Sequence, residues 1–468
     1  MRRISAVWVF CGVSIALLLA LLAALSPRLG YDAQPAGRPV VVIVAILCAA
    51  GVFYLVAARG GLKLPLGSKS FVLLILIGAL MRGAMFFSEP ALEDDFYRYL
   101  WDGAVTANGL NPYEYSPRDV VAEGSDAPAR LRGLAAESGE VLGRINHPGL
   151  RTIYPPLAQG VFAAAYAVSP WGIQGLRVVY LVFDILTLLV LIRVLSRLGL
   201  PMGYLTIYWW NPLLVKEVYN SLHMDVVVLP LVLGGLYLAS MRCYASGVFK
   251  LVLGIGVKLW PIAALPVVLR EVVGSRRKLL PALGVAVVGI AALLAPLWLW
   301  GLRSGSGMGA YARSWENNDS AFKLILWVSQ SLLPLFGVHP GWGQLLARLM
   351  VVLFLGIWMA YVLRRRSSSP RELFDRGVLI VGALFLLSPT QFPWYYVWLI
   401  PMLAVSPRTP FLVLTALLPL YYLGYYYPSP KEGRFLKEYV LVWVQFVPVW
   451  ALLAWNWYAV RRGGARAV

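Results

Sequence analysis

The sequence predicts an all-α protein, a polytopic bundle of transmembrane helices with one large extracytoplasmic loop bearing short surface helices. Three observations carry that reading. Hydrophobic residues make up 60% of the 468 positions and charged residues only 13%, a balance outside the range of soluble domains. Apolar runs long enough to cross a hydrocarbon core of ~30 Å recur along the whole chain. The 41 Lys and Arg residues, source of the +19 net charge, sit mainly in short clusters between those runs. Cytoplasmic loops have that distribution under the positive-inside rule, so membrane lipids and not nucleic acid are the expected surroundings. Cys11, Cys48 and Cys243 lie in or beside apolar runs, with neither metal spacing nor a disulfide framework.

The elements follow in order as a single integral membrane domain, 1–468. Arg2 and Arg3 precede an apolar run at 7–25 that looks like a signal peptide. The run is long enough to span and Ser26-Pro27-Arg28 is a poor cleavage site, so a retained first helix is expected. Runs at 39–58 and 70–87 flank Arg59, Lys63 and Lys69, which places Ser88 outside and makes 88–155 the first large outer loop. Tyr154-Pro155-Pro156-Leu157 then opens an apolar run, since proline suits the first helical position. If 157–169 and 176–195 both span, Arg193 and Arg197 fall outside; if the first is partial, they fall inside. Runs at 203–219 and 224–241 meet at a polar junction, and 247–270 carries a break at Lys258-Leu259-Trp260-Pro261. A helix at 279–300 leads to a second outer loop, 301–320. The later runs are 321–337, 343–363 (ending in Arg364-Arg365-Arg366), 377–390, 394–406, 411–427 and 439–459. The expected total is roughly 11–14 spans with both termini cytoplasmic.

With this topology the unusual polar clusters converge on the outer face. The first gathers five carboxylates between Glu89 and Asp102, interleaved with Tyr97, Arg98, Tyr99 and Trp101. The others are Asn146 to Tyr154, Asn211 to Asp225, Arg313 to Asp319 and Pro389 to Tyr396. Polar groups in apolar sequence are costly and face a cavity or a protein interior. Asp94 and Asp95 could deprotonate a hydroxyl or bind a cation, with helix N-capping as the competing reading. Arg98, Arg151, Lys216, His223, Lys258 and Arg313 could hold a phosphate or diphosphate, although Arg98 and Arg313 suit lipid headgroups equally. Tyr97, Tyr154, Trp394 and Tyr395 suit stacking on sugar rings, and Asp225 completes the polar junction. His223 and Asp225 lie two apart and cannot share one helical face, so they are not read as a dyad. A divalent cation would find ligands in Glu93, Asp94, Asp95 and His223, but the spacing follows no standard metal motif and none is assigned. A carboxylate base beside a basic phosphate cradle suits transfer of a sugar from a lipid phosphate to a hydroxyl.

At these residues the sequence resembles the membrane-embedded C-type glycosyltransferases that use polyprenyl-phosphate sugars, among them bacterial mannosyltransferases of glycosyltransferase family 87. The resemblance rests on Asp94-Asp95-Phe96-Tyr97-Arg98-Tyr99-Leu100-Trp101-Asp102-Gly103 and Asn108-Gly109-Leu110-Asn111-Pro112-Tyr113. Tyr154-Pro155-Pro156-Leu157, Asn211-Pro212, His223-Met224-Asp225 and Pro393-Trp394-Tyr395-Tyr396 support it. It implies a polyprenyl-phosphate sugar (mannose first) as donor, a lipid or glycan acceptor, an extracytoplasmic site in the plasma membrane, and inversion. It also implies an acidic general base in the first large outer loop; carried over, that base is Asp95, with Asp94 the alternative. Family members usually place this loop after the first helix, whereas here it follows the third, which implies two added N-terminal helices or a divergent subgroup. A transporter or flippase of an anionic glycolipid is the rival class, and a ligase or polymerase of lipid-linked glycans is chemically adjacent. A transporter works from both faces and often shows an inverted repeat; this chain concentrates its polar clusters on one face and shows no such repeat.

Overall fold

The computed structural model describes residues 2–34, 37–64, 67–302, 307–427 and 430–462; for 2–5, 312–314 and 430–432 it describes the backbone alone. Among the described residues every regular element is helical, and Asn317 and Thr390 form an isolated parallel bridge. Among the described residues, seven helices are long and apolar enough to cross a membrane: Ala6–Leu29, Val40–Gly61, Ser68–Phe86, Ile173–Leu198, Arg276–Gly301, Pro340–Val362 and Gly433–Arg461. An eighth is added if the broken pair Pro212–Asn220 and Met224–Ser240 counts as one span. The protein is a multi-pass, all-α membrane protein.

The remaining apolar runs are shorter helices: Pro156–Val168, Tyr244–Val257, Trp260–Leu269, Ala321–Phe336 and Thr409–Tyr425. Local chemistry limits them. Pro155 and Pro156 start the first, whose 13 residues reach only about 20 Å at 1.5 Å per residue. Tyr244–Val257 stops where Lys258 turns extended (φ −153°, ψ 143°). Thus apolar length in the sequence does not by itself give the length of a helix, because several runs contain a break.

The chain divides into two compact units. Met1–Leu92, Leu188–Asn220 and Glu316–Val468 form the first; Glu93–Thr187 and Ser221–Trp315 form the second. In the first unit the helix Arg2–Leu25 buries Trp8, Cys11, Ile15, Leu19 and Leu22, at three- and four-residue spacing, and exposes Phe10, Leu17 and Leu21. One stripe meets protein and the other meets lipid, as an amphipathic pattern without polar residues requires. Trp209 and Trp210 anchor this unit. Trp210 stacks on Trp8 with ring centroids 4.3 Å apart, and the two indole nitrogens donate to the Ile75 and Leu74 carbonyls. Arg82 lies 3.4 Å from the Trp209 ring and donates to the Trp209 carbonyl.

In the second unit the helix Phe96–Ala107 packs on Pro156–Val168. Gly103 permits this approach, because a Cβ there would sit 2.5 Å from the Phe162 carbonyl oxygen. Tyr99 lies flat against Phe162, with centroids 4.7 Å apart. Leu229–Ser240 and Arg276–Pro296 pack on Tyr244–Val257 and complete the unit.

Candidate active site

The second unit brings Asp94, Asp95, His223, Asp225 and Lys258 together, along with Asn146. Asp95 occupies the N-cap position of Phe96–Ala107, but its side chain makes no cap hydrogen bond. The capping role that competes for it is therefore not what its carboxylate does. Asn146 Nδ2 donates to Asp94 Oδ1 at 2.8 Å and to Asp95 Oδ1 at 2.9 Å. Asp95 Oδ2 lies 3.9 Å from His223 Nδ1, and the Asp95 side chain keeps 28% of its exposure. His223 is buried where the chain turns into the short helix Met224–Val228, just after Leu222 in the left-handed region (φ 60°). Two residues on, Asp225 accepts from Lys258 Nζ at 2.5 Å. His223 thus faces Asp95, and Asp225 faces Lys258.

Burial pushes both carboxyls above the usual carboxylate range. For Asp95, Asn146 and the Lys258 ammonium oppose the rise, while Asp94 and Asp225 add to it. For Asp94 the opposing groups include Asn146 and His147. The result is a pair of proton acceptors stronger than ordinary carboxylates, both of them half-buried. Among the described residues no group of three or more His, Cys, Asp and Glu is arranged to hold a metal ion.

A second, saturated network lies further along the same helix. Asp102 is 1% exposed and accepts from Arg98 Nε (2.9 Å), Thr152 Oγ1 (2.5 Å) and Gln159 Nε2 (3.2 Å). Arg98 also donates to the Leu150 carbonyl at 2.9 Å. Arg98, expected as a phosphate or headgroup contact, uses Nε and Nη1 to tie Leu150 to the helix. Tyr97, expected to meet sugar, is buried and its hydroxyl accepts from Arg144 at 2.9 Å. Tyr154 packs edge-on against Tyr99 (5.2 Å) and Phe162 (5.5 Å). Arg151 is half-buried and in no ion pair among the described residues. Arg313 lies in the helix Gly307–Ser314, and its side chain falls outside the described residues.

Lys216, Trp394 and Tyr395 belong to the first unit. Lys216 is buried 3.3 Å from Glu217 Oε1 and 3.6 Å from the Tyr422 ring centre. Tyr422 donates to the same Glu217 oxygen at 2.7 Å. Trp394 is buried and stacks on Phe392 at 4.3 Å, and Tyr395 stacks on Trp398 at 4.7 Å.

A sequence model described as "Alpha-(1->6)-mannopyranosyltransferase, N-terminal domain" matches residues 5–274, more than half of the chain. The chain belongs to the alpha-(1->6)-mannopyranosyltransferase family. The matched stretch contains every residue of the centre from Asp94 to Lys258. Alpha-(1->6)-mannopyranosyltransferase A of Corynebacterium glutamicum is 22% identical over 352 residues, 68% of each chain. Alpha-(1->6)-mannopyranosyltransferase B of the same organism is 23% identical over 365 residues, 68% of this chain and 56% of the relative. The chain therefore spans little more than half the length of the second relative.

Four residues that shape this family centre escape the sequence reading: Asn146, Asp102, Thr152 and Gln159. Asn146 and Thr152 stand in one of the outer polar clusters and Asp102 in the acidic stretch, so a polar-residue signal was present for three of them. Gln159 sits inside an apolar run, where a lone amide is itself the signal.

Proposed function

We propose that this chain transfers a mannosyl group, with inversion, from a polyprenyl-phosphate donor to a lipid or glycan hydroxyl at the outer face of the plasma membrane, with Asp95 as general base. The acceptor hydroxyl donates to Asp95, which takes its proton as the oxygen bonds to the anomeric carbon. The bond from that carbon to the phosphate oxygen breaks on the opposite face, and the polyprenyl phosphate leaves with the electron pair. A positioned base contributes roughly 10²–10⁴ in rate. Of the cations singled out in this unit whose side chains are described, Arg98 is engaged with Asp102, Lys258 with Asp225, and His223 faces Asp95. Among these, Arg151 is the one we assign to the departing phosphate, where a fixed positive charge lowers the barrier.

One observation carries the reading. Asp95 stands at a helix start without capping it, is held by Asn146, and keeps an exposed edge. The names of the relatives supply the sugar, and the resemblance at Asp94-Asp95 supplies the donor class and the inversion. The test is purified protein with radiolabelled polyprenyl-phosphate mannose and extracted membrane lipids, wild type beside Asp95→Asn. Transfer by the wild type and its loss in the variant is the expected result. Undiminished transfer by Asp95→Asn removes Asp95 as base, and no transfer by the wild type from polyprenyl-phosphate sugars removes the enzyme reading.

A further inference from the structure

Asn146 carries no charge and has no chemistry of its own, yet both acids of the centre depend on it. Its amide nitrogen has two hydrogens, and the two contacts at 2.8 and 2.9 Å give one to Asp94 Oδ1 and one to Asp95 Oδ1. With carboxylates on both sides, the nitrogen and not the oxygen belongs at that position. Adjacent carboxylates repel, and a shared donor offsets that repulsion. Fixing both Oδ1 atoms also fixes Oδ2, which in Asp95 turns to the side where His223 lies at 3.9 Å. The groups facing this pair are His147 beside Asp94, and His223, Asp225, Lys258 and the Tyr99 and Tyr154 hydroxyls beside Asp95.

We propose that Asn146 is a positioning residue of the transfer reaction: by holding two carboxylates on one amide it keeps Asp95 ionised next to Asp94 and presents Asp95 Oδ2 to the acceptor hydroxyl. This rests on Asp95 being the base. Asn146 touches no reacting atom; it acts through the two acids.

The experiment is the pH profile of kcat/KM for mannose transfer from radiolabelled polyprenyl-phosphate mannose to extracted membrane lipids. Wild type, Asn146→Ala, Asn146→Asp and Asp95→Asn are compared. Losing a hydrogen bond to the ionised form raises the Asp95 pKa, so the acidic limb moves up in pH. Losing one hydrogen bond to the charged form moves the limb of Asn146→Ala up by at least about one pH unit. At a fixed pH on the limb the rate then falls about tenfold beyond any fall in the high-pH plateau. Asn146→Asp, close to isosteric and carrying a third carboxylate, moves the limb up at least as far and provides the readout if the alanine variant fails to fold. A uniform fall at every pH with an unmoved limb, or no change in either variant, overturns the inference. The base reading is judged separately: a limb that persists in Asp95→Asn, or no transfer by the wild type, overturns that reading and the inference with it. A limb lost in Asp95→Asn but unmoved in both Asn146 variants overturns the inference alone.

Discussion

The mouth and the middle of the helix Phe96–Ala107 hold two aspartates in opposite situations. At the mouth, Asp95 accepts from Asn146, faces a histidine at 3.9 Å and keeps 28% of its side chain exposed. In the middle, Asp102 is 1% exposed and accepts from an arginine, a threonine and a glutamine. Both interrupt apolar sequence at a cost. What separates a group available for chemistry from one that holds the fold is saturation: Asp102 has its partners inside the protein, whereas Asp95 has an edge left for a ligand.

The largest effect that sharpens this contrast is on rate. Asp95→Asn keeps the Asn146 contact geometry but loses the proton acceptor. Transfer should fall by about 10²–10⁴ with the melting curve unchanged. Next comes stability at the other end of the helix. Asp102→Asn leaves Arg98 buried opposite a neutral group, and breaking a buried pair costs about 3–5 kcal/mol. The variant should melt lower in detergent, and adding Arg98→Met should recover part of the loss; a melt equal to wild type would break the contrast.

A third acid, Asp319 of the first unit, separates burial from function. It is 2% exposed and burial pushes it up to about 7, despite nearby Lys323. A folded pKa above the unfolded value near 3.8 means the unfolded chain releases its proton first. Stability should therefore fall as pH rises from about 4 to about 7, and the thermal midpoint of Asp319→Asn should lose that part of the slope. An identical slope in wild type and variant would show that Asp319 does not titrate in that window. The smallest effect concerns packing under the site. Gly103→Ala forces Phe96–Ala107 away from the Phe162 carbonyl, at about 1–3 kcal/mol. A wild-type melt would show that the two helices have room to spare.

Much of this was legible in the sequence because composition and spacing carry it. The apolar runs give the helical membrane class, and the acid-rich stretch after Ser88 gives the centre. His223 and Asp225, two residues apart, each have a partner from elsewhere in the chain, Asp95 and Lys258. The rest depends on pairing across long separations. Lys258 meets Asp225 from 33 residues away, and Asn146 reaches Asp95 from 51. No local period encodes such contacts. Arg98 meets the Leu150 carbonyl from 52 residues away, a contact that no local pattern announces. Helix ends are hard to read for a related reason: hydropathy measures how apolar a run is, while Lys258 and the prolines decide where a helix stops.

The most direct measurement is transfer rate per folded molecule for Asp95→Asn and Asp102→Asn, assayed together with folded fraction determined on the same samples. If Asp95 is the reactive acid and Asp102 the structural one, Asp95→Asn loses about 10²–10⁴ in rate per folded molecule. Asp102→Asn then holds its rate within a few-fold and loses folded fraction instead. Wild-type turnover by folded Asp95→Asn, or a loss per folded molecule in Asp102→Asn as deep as in Asp95→Asn, would contradict the account.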